Sequence, residues 1–297
     1  MAIALTSATA NGGGLARSRT LLVTFLGAVV RPMGGWMPIS ATVDLMTEAG
    51  LDSPSVRTAV SRLKKRGWLI PETRDGVRGY VLSEAAMSAL AAGDAVIWHA
   101  RRSALLSDGW CIINCSIPEA ERKRRQQLRA HLTSLGFGNI GTALWIAPAR
   151  MREAAQQAIA ELELTDTAAV FVGDHVAGRD LRALIYASWD LDAINARYAQ
   201  FIAEYTSLRA RADNPGIASG DAFVSYITLV DQWRKLPFRD PGLPWELLDD
   251  TWNGPAATGL FEQLVERLEA PALAHATAGW KLAGATPETP QPTQRSE

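Results

Sequence analysis

The chain is poor in the residues that most often carry chemistry. It has two cysteines, Cys111 and Cys115, in 297 residues. Four positions apart on a predicted strand, they share a face but do not aim at each other's sulfur. They read as small buried hydrophobes. A redox sensor is the sharper alternative, and a metal site lacks a neighbouring His or Cys to complete its ligands. The four histidines, His99, His131, His175 and His275, are scattered and form no HExxH or HxxxH pair. No GxSxG elbow is present. Asp174 and His175 are adjacent, so on a strand they point to opposite faces. GGG at 12–14 lies in an expected leader, and GFGNIG at 136–141 leads into a strand, so neither is a phosphate loop of the helix-opening type. No apolar run is long enough to span a membrane. The start, MAIALTSATANGGG, lacks the features of a signal peptide. These absences argue against an enzyme, a metal and a cofactor, and predict a cytoplasmic protein.

The near-neutral net charge of −1 hides an asymmetry. Residues 1–131 hold 17 Lys+Arg and 10 Asp+Glu, a net of +7, against 13 and 21 in residues 132–297, a net of −8. A basic front half suits a polyanion.

Within that half, DSPSVRTAVSRLKKRGWLIPETRDGVRGYVL at 52–82 reads as a capped helix and a hairpin. Ser53 is the expected cap, with Pro54 just inside the helix. Val56, Val60 and Leu63 form its buried stripe. Arg57, Thr58, Ser61, Arg62 and Lys65 are left outside, with Ser55 near the start. Arg matches guanine edges, and hydroxyls reach phosphates or bases. Gly67 ends the helix. Trp68 begins a strand, Asp75-Gly76 forms a tight turn, and Val77 to Leu82 returns. Arg74 and Arg78 flank the turn. A solvated basic face is the plainer reading of the helix alone. Helices at 17–31 and 39–48 ahead of it make the order that of a winged helix-turn-helix, with double-stranded operator DNA as partner.

The expected class is α+β. Residues 1–16 read as a flexible leader and 17–104 as the DNA-binding domain, closed by a connecting helix with apolar Met87, Leu90 and Ile97. Residues 105–188 alternate strand and helix, suggesting a ferredoxin-like domain with strands at 110–117, 141–147, 168–173 and 181–188. Residues 189–283 read as a helical domain, whose last helix covers 256–269. The Pro-rich end, 284–297, reads as disordered.

Several blocks together resemble the PaaX family of bacterial transcriptional regulators. They are VRTAVSRLKKRGWL at 56–69, WCIINCSIP at 110–118, GFGNIGTALWIAP at 136–148, WDLDAINARYAQF at 189–201, RDPGLPWELL at 239–248 and WNGPAA at 252–257. The resemblance covers about Arg17 to Leu268. It implies a dimeric repressor of a catabolic operon, released from DNA by an aromatic acyl-CoA such as phenylacetyl-CoA. Asp231, in LVDQWR, stands where the family commonly has His, and LLDDTW at 247–252 also departs from the pattern. A departure in an effector pocket would change the ligand.

The sequence does not locate that pocket. Trp110, Trp189 and Trp233 are candidates for stacking on an acyl group or adenine, alongside Trp145, Trp245 and Trp252. The alternative is that they are core anchors. Arg197 and Arg234 suit a carboxylate or CoA phosphates, or plain surface pairing. ERKRR at 121–125 is a further candidate for CoA phosphates or DNA, or a solvated face. The competing functions are a metal-dependent nuclease, because the family's middle domain resembles small CRISPR-adaptation nucleases in fold, and an architectural DNA binder. Against the nuclease, the first middle strand ends in Asn114-Cys115-Ser116, without the carboxylates such an enzyme needs.

Overall fold

A computed structural model describes residues 13–98, 103–212 and 217–286. The architecture is α+β, with two small antiparallel sheets set among helices. The described chain divides into two compact units. One contains residues 13–98, the end of α8 from Phe201, α9, and α10 from Ala256. The other contains residues 103–200 and 235–255.

The first unit opens with α1 (Gly13–Phe25), which continues into a π-helical turn, Leu26–Val30. Strand β1 (Trp36–Pro38), α2 (Ile39–Glu48) and α3 (Ser53–Lys65) follow, then β2 (Leu69–Arg74), β3 (Val77–Leu82) and α4 (Glu84–Ile97). The sheet order is β1-β3-β2, antiparallel throughout. Gly79 is required where β3 crosses β1. A Cβ there would lie 2.4 Å from the Met37 carbonyl oxygen and 2.6 Å from the Trp36 ring.

Three more helices complete this unit's core: the end of α8 (Leu191–Ala212), α9 (Ser219–Trp233) and most of α10 (Gly254–Leu282). Phe25 of α1 meets Phe223 edge-on at 6.3 Å and Trp280 at 6.2 Å. The Trp280 indole donates to the Trp36 carbonyl. A buried polar knot adds direction to this packing. Thr24 Oγ1 and Arg234 Nε both donate to Asp231 Oδ1, at 3.0 and 3.2 Å, and Arg234 also donates to the Thr20 carbonyl. Asp231 therefore ties α9 to α1.

The second unit builds on β4 (Trp110–Cys115), α5 (Arg122–Ser134), β5 (Gly138–Asn139), β6 (Leu144–Pro148), α6 (Arg152–Glu161) and β7 (Ala168–Gly173). Its sheet runs β5-β6-β4-β7, all antiparallel. Cys111, Ile113, Cys115 and Trp145 point to the face packed with Leu128, Leu132, Ala155 and Ile159 of α5 and α6. Trp110 and Ile146 point to the other face, against Ile185, Leu191, Leu243, Leu247 and Leu248.

Several expectations are corrected. Asp52, not Ser53, caps α3: its carboxylate accepts from the Ser55 N–H at 2.8 Å. Residues 181–188 form a helix, α7 (Leu181–Ser188), rather than a strand. Asp180 caps it by accepting from the Ala183 N–H, and Leu181, Leu184 and Ile185 have helical rather than alternating spacing. The fourth strand is instead the two-residue β5. The last helix does not stop at 269 but runs through Pro271 to Leu282. Interior proline costs a helix about 3 kcal/mol, which burial of Ala272, Leu273, Ala276 and Trp280 beyond it helps to offset. Met87 is exposed, and Ala86 takes the buried position on α4. Gly13 and Gly14 already belong to α1. The rest of the expected leader, 1–12, residues 99–102 of the connecting helix, and 287–297 of the expected tail lie outside the described residues.

Two predictions follow from this packing. Asp231→Ala leaves the Arg234 guanidinium buried without its carboxylate, and should cost about 3–5 kcal/mol in urea unfolding. Replacing both residues with apolar side chains of similar volume should cost less. Both cysteines are buried thiols, and burial pushes Cys111 up to about 11. The folded protein should therefore resist thiol alkylation at pH 8, and label quickly once unfolded. The neutral thiol's contribution to stability is full below its unfolded pKa. It should be lost as pH rises through about 11.

Candidate nucleic-acid interface

Both ends of α3 are fixed by local chemistry. At the start, the Ser55 hydrogen bonds hold the Asp52 carboxyl below the usual carboxylate range, and Pro54 occupies the first turn, where an N–H is not needed. At the end, Gly67 adopts φ 74°. Its N–H bonds to the Lys64 carbonyl and the Trp68 N–H to the Leu63 carbonyl, closing a Schellman motif.

Between these ends Val56, Ala59, Val60 and Leu63 are buried. Their spacing fixes the rotation of the helix. Arg57, Ser61 and Lys65 form one exposed row, and Thr58 and Arg62 form the next, with half-exposed Ser55 above them. Every predicted outward residue of α3 thus shares one face. Lys64 and Arg66 are also exposed. The KKR run at 64–66 is the sequence feature that marks them. Cations in this last turn oppose the negative end of the helix dipole.

The hairpin turn has Asp75 at φ 50° and Gly76 at φ 79°, the paired positive values of a type I′ turn. Its two arginines differ. Arg74 is half-buried, bonded to Glu72 through Nε, and its guanidinium lies 5.3 Å from the Trp36 ring centroid. That arginine is held inside the unit. Arg78 is exposed and pairs with Thr73 across the strands. Strand alternation puts it on the same sheet face as Leu69, Leu82 and Met37. Near the base that face is buried core; near the tip it is open, so Arg78 projects from the core-facing side.

The effector candidates do not share one environment. Trp110 is 2% exposed in the β4 core. Trp189 is half-buried. It donates to the Gly136 carbonyl at 3.1 Å and covers Gly138, where a Cβ would come within 2.7 Å of its ring. Arg197 is exposed on α8. These three belong to one unit, and Trp233 and Arg234 to the other. Trp233 is fully buried, stacked on Phe261 at 4.5 Å, with its N–H bonded to the Ile97 carbonyl. Arg234 is spent on Asp231 and Thr20. Of the other tryptophans, Trp245 is half exposed and Trp145 is core. No group of three or more His, Cys, Asp or Glu side chains among the described residues could hold a metal ion. None of the described helices is long and apolar enough to cross a membrane.

Three family models match in succession: PaaX-like protein over residues 17–86, PaaX protein central Cas2-like domain over 104–185, and PaaX-like protein C-terminal domain over 189–278. The transcriptional repressor PaaX of Escherichia coli (strain K12) is 26% identical over 270 residues, covering 86% of this chain and 81% of that protein. Among solved structures, an uncharacterized protein, Rv0674, from Mycobacterium tuberculosis matches with a TM-score of 0.58 and 16% identity, over 90% of this chain and 98% of that one. That likeness is one of fold. The three matches in order, together with the relative that spans them, show that the chain belongs to the PaaX family of transcriptional regulators.

Proposed function

We propose that the chain is a DNA-binding transcriptional repressor of a catabolic operon, released from its operator by a small-molecule effector. The observation that carries this reading is the outward face of α3, where Ser55, Arg57, Thr58, Ser61, Arg62 and Lys65 stand over a fully apolar buried stripe. With the β2–β3 hairpin, residues 17–104 act as a winged helix-turn-helix. Its recognition helix enters the major groove, and Arg78 reaches phosphate. Arg74 serves instead as a support that stiffens the wing against Trp36.

Residues 105–188 act as a ferredoxin-like domain, an assignment supported by its strand order, and 189–283 as a helical domain. Two copies form a homodimer and read half-sites about one or more helical turns apart. The effector is an aromatic acyl-CoA, phenylacetyl-CoA being the first candidate. What supports this is the similarity to a repressor named PaaX. Because an effector shifts an equilibrium only by its differential affinity, it binds better to the conformation that no longer fits the operator. Trp110 and Trp233 would have to leave packed cores to stack on a ligand, so Trp189 and Arg197 are the better of the candidates.

Binding of purified protein to its own upstream DNA, followed by fluorescence anisotropy, tests the reading. Arg62→Ala should lose about 1–3 kcal/mol and relax the preference at one base position. Arg78→Ala should weaken all duplexes alike and flatten the salt dependence by about 0.9 log units per log unit of salt. An Arg62→Ala protein with unaltered affinity and preference would remove that residue from the interface. A panel of aromatic acyl-CoAs and the matching free acids should contain one thioester that reverses specific binding. Indifference to the whole panel would discard the acyl-CoA effector and leave the DNA reading standing.

A further inference from the structure

The basic helix of the second unit is not explained by recognition through α3. Helix α5 contains Arg122, Lys123, Arg124, Arg125 and Arg129 and no carboxylate. Four of these cations crowd its first turn, at the positive end of the helix dipole, where they are repelled. Natural sequences tend to keep such local conflicts where function requires them.

The five cations divide by role. Arg124 turns inward to the Leu162 and Glu163 carbonyls and to Glu121, and Arg125 to the Ile117 carbonyl. Those two close the loops around the sheet. Arg122, Lys123 and Arg129 are exposed, and they serve no such purpose. Arg122 and Arg129 lie two turns apart on one face, with Gln126 between them, and Lys123 borders that row. From Arg122 to Arg129 the helix rises about 10 Å. Phosphates follow one another along a DNA strand every 3.4 Å or so of helix axis, so the row matches about three of them. A single diphosphate would engage one end of it only.

We infer that Arg122, Lys123 and Arg129 of α5 form a second DNA-binding surface, one that holds the phosphate backbone of a duplex without reading its sequence. It rests on the DNA-binding reading given above, and extends it to a part of the chain outside the winged helix. Neutralising the row removes phosphate contacts from specific and non-specific complexes alike. The ratio between them stays unchanged.

The test uses the full-length protein and the triple variant Arg122→Ala, Lys123→Ala, Arg129→Ala. Affinity for operator and for random-sequence duplex is measured from low to moderate salt. The wild type should show a steep salt slope, and the variant a slope shallower by up to about 2.7, at roughly 0.9 per lost phosphate contact. The operator-to-random ratio should be preserved. A control that removes the same charge from the same unit, Arg152→Ala, Arg179→Ala, Arg239→Ala, should keep the wild-type slope. Thermal unfolding should show the α5 variant no less stable than wild type, because the substitutions relieve repulsion at the helix start. An α5 variant with the wild-type slope would overturn the inference and make the row a solvated face. So would a variant that loses binding of CoA alone while its DNA slope holds. A wild type that binds no duplex would instead overturn the DNA reading itself, and this inference with it.

Discussion

The presentation of α3 depends on one constraint: the N-terminal helices have no private core. Phe25 of α1 is enclosed by Phe223 of α9 and Trp280 of α10, and Trp280 reaches the backbone of β1 through Trp36. Residues nearly the length of the chain apart therefore fill one apolar volume. Buried aromatic surface supplies the energy. The Asp231–Arg234–Thr24 knot supplies direction, because a buried ion pair tolerates few other arrangements. The orientation of the exposed face of α3 is then a property of the C-terminal helices as much as of the N-terminal ones. A substitution that repacks those helices would act on α3 without touching it.

Electrostatics divides the basic residues of each unit into engaged and exposed ones. Arg74 on the β2–β3 hairpin, Arg124 and Arg125 on the inner side of α5, and Arg234 in the core are all engaged with carbonyls, carboxylates or a ring. Arg57, Arg62, Lys65 and Arg78 stand exposed. A count of basic residues treats these groups alike. In the DNA complex proposed above, exposed cations would be the ones to release counterions, so salt dependence would report on them and not on the engaged ones.

Local chemistry made much of this legible in the sequence. Pro54 and Gly67 mark the ends of α3, and Asp75-Gly76 dictates the hairpin turn, because each is a backbone requirement met by few residue types. The apolar stripe of α3 was equally plain. What failed was of two kinds. Leu181 to Ser188 is too short for its period alone to separate helix from strand, and the Asp180 cap decides for helix. The shared core, the half-buried Arg74 and the helix continuing past Pro271 depend on partners far away in the chain. Periodicity carries no information about those partners. For the same reason Trp110 and Trp233 were open as ligand platforms in sequence and are core residues in the fold.

The most direct measurement of the central claim is selection from a pool of randomised duplexes by the purified chain, followed by sequencing of the bound fraction. If α3 reads DNA, the pool should converge on a two-fold-symmetric site, and the Arg62→Ala protein should lose preference at one position of each half. A bound fraction as diverse as the starting pool would contradict the account. It would leave the basic face of α3 without a sequence to read.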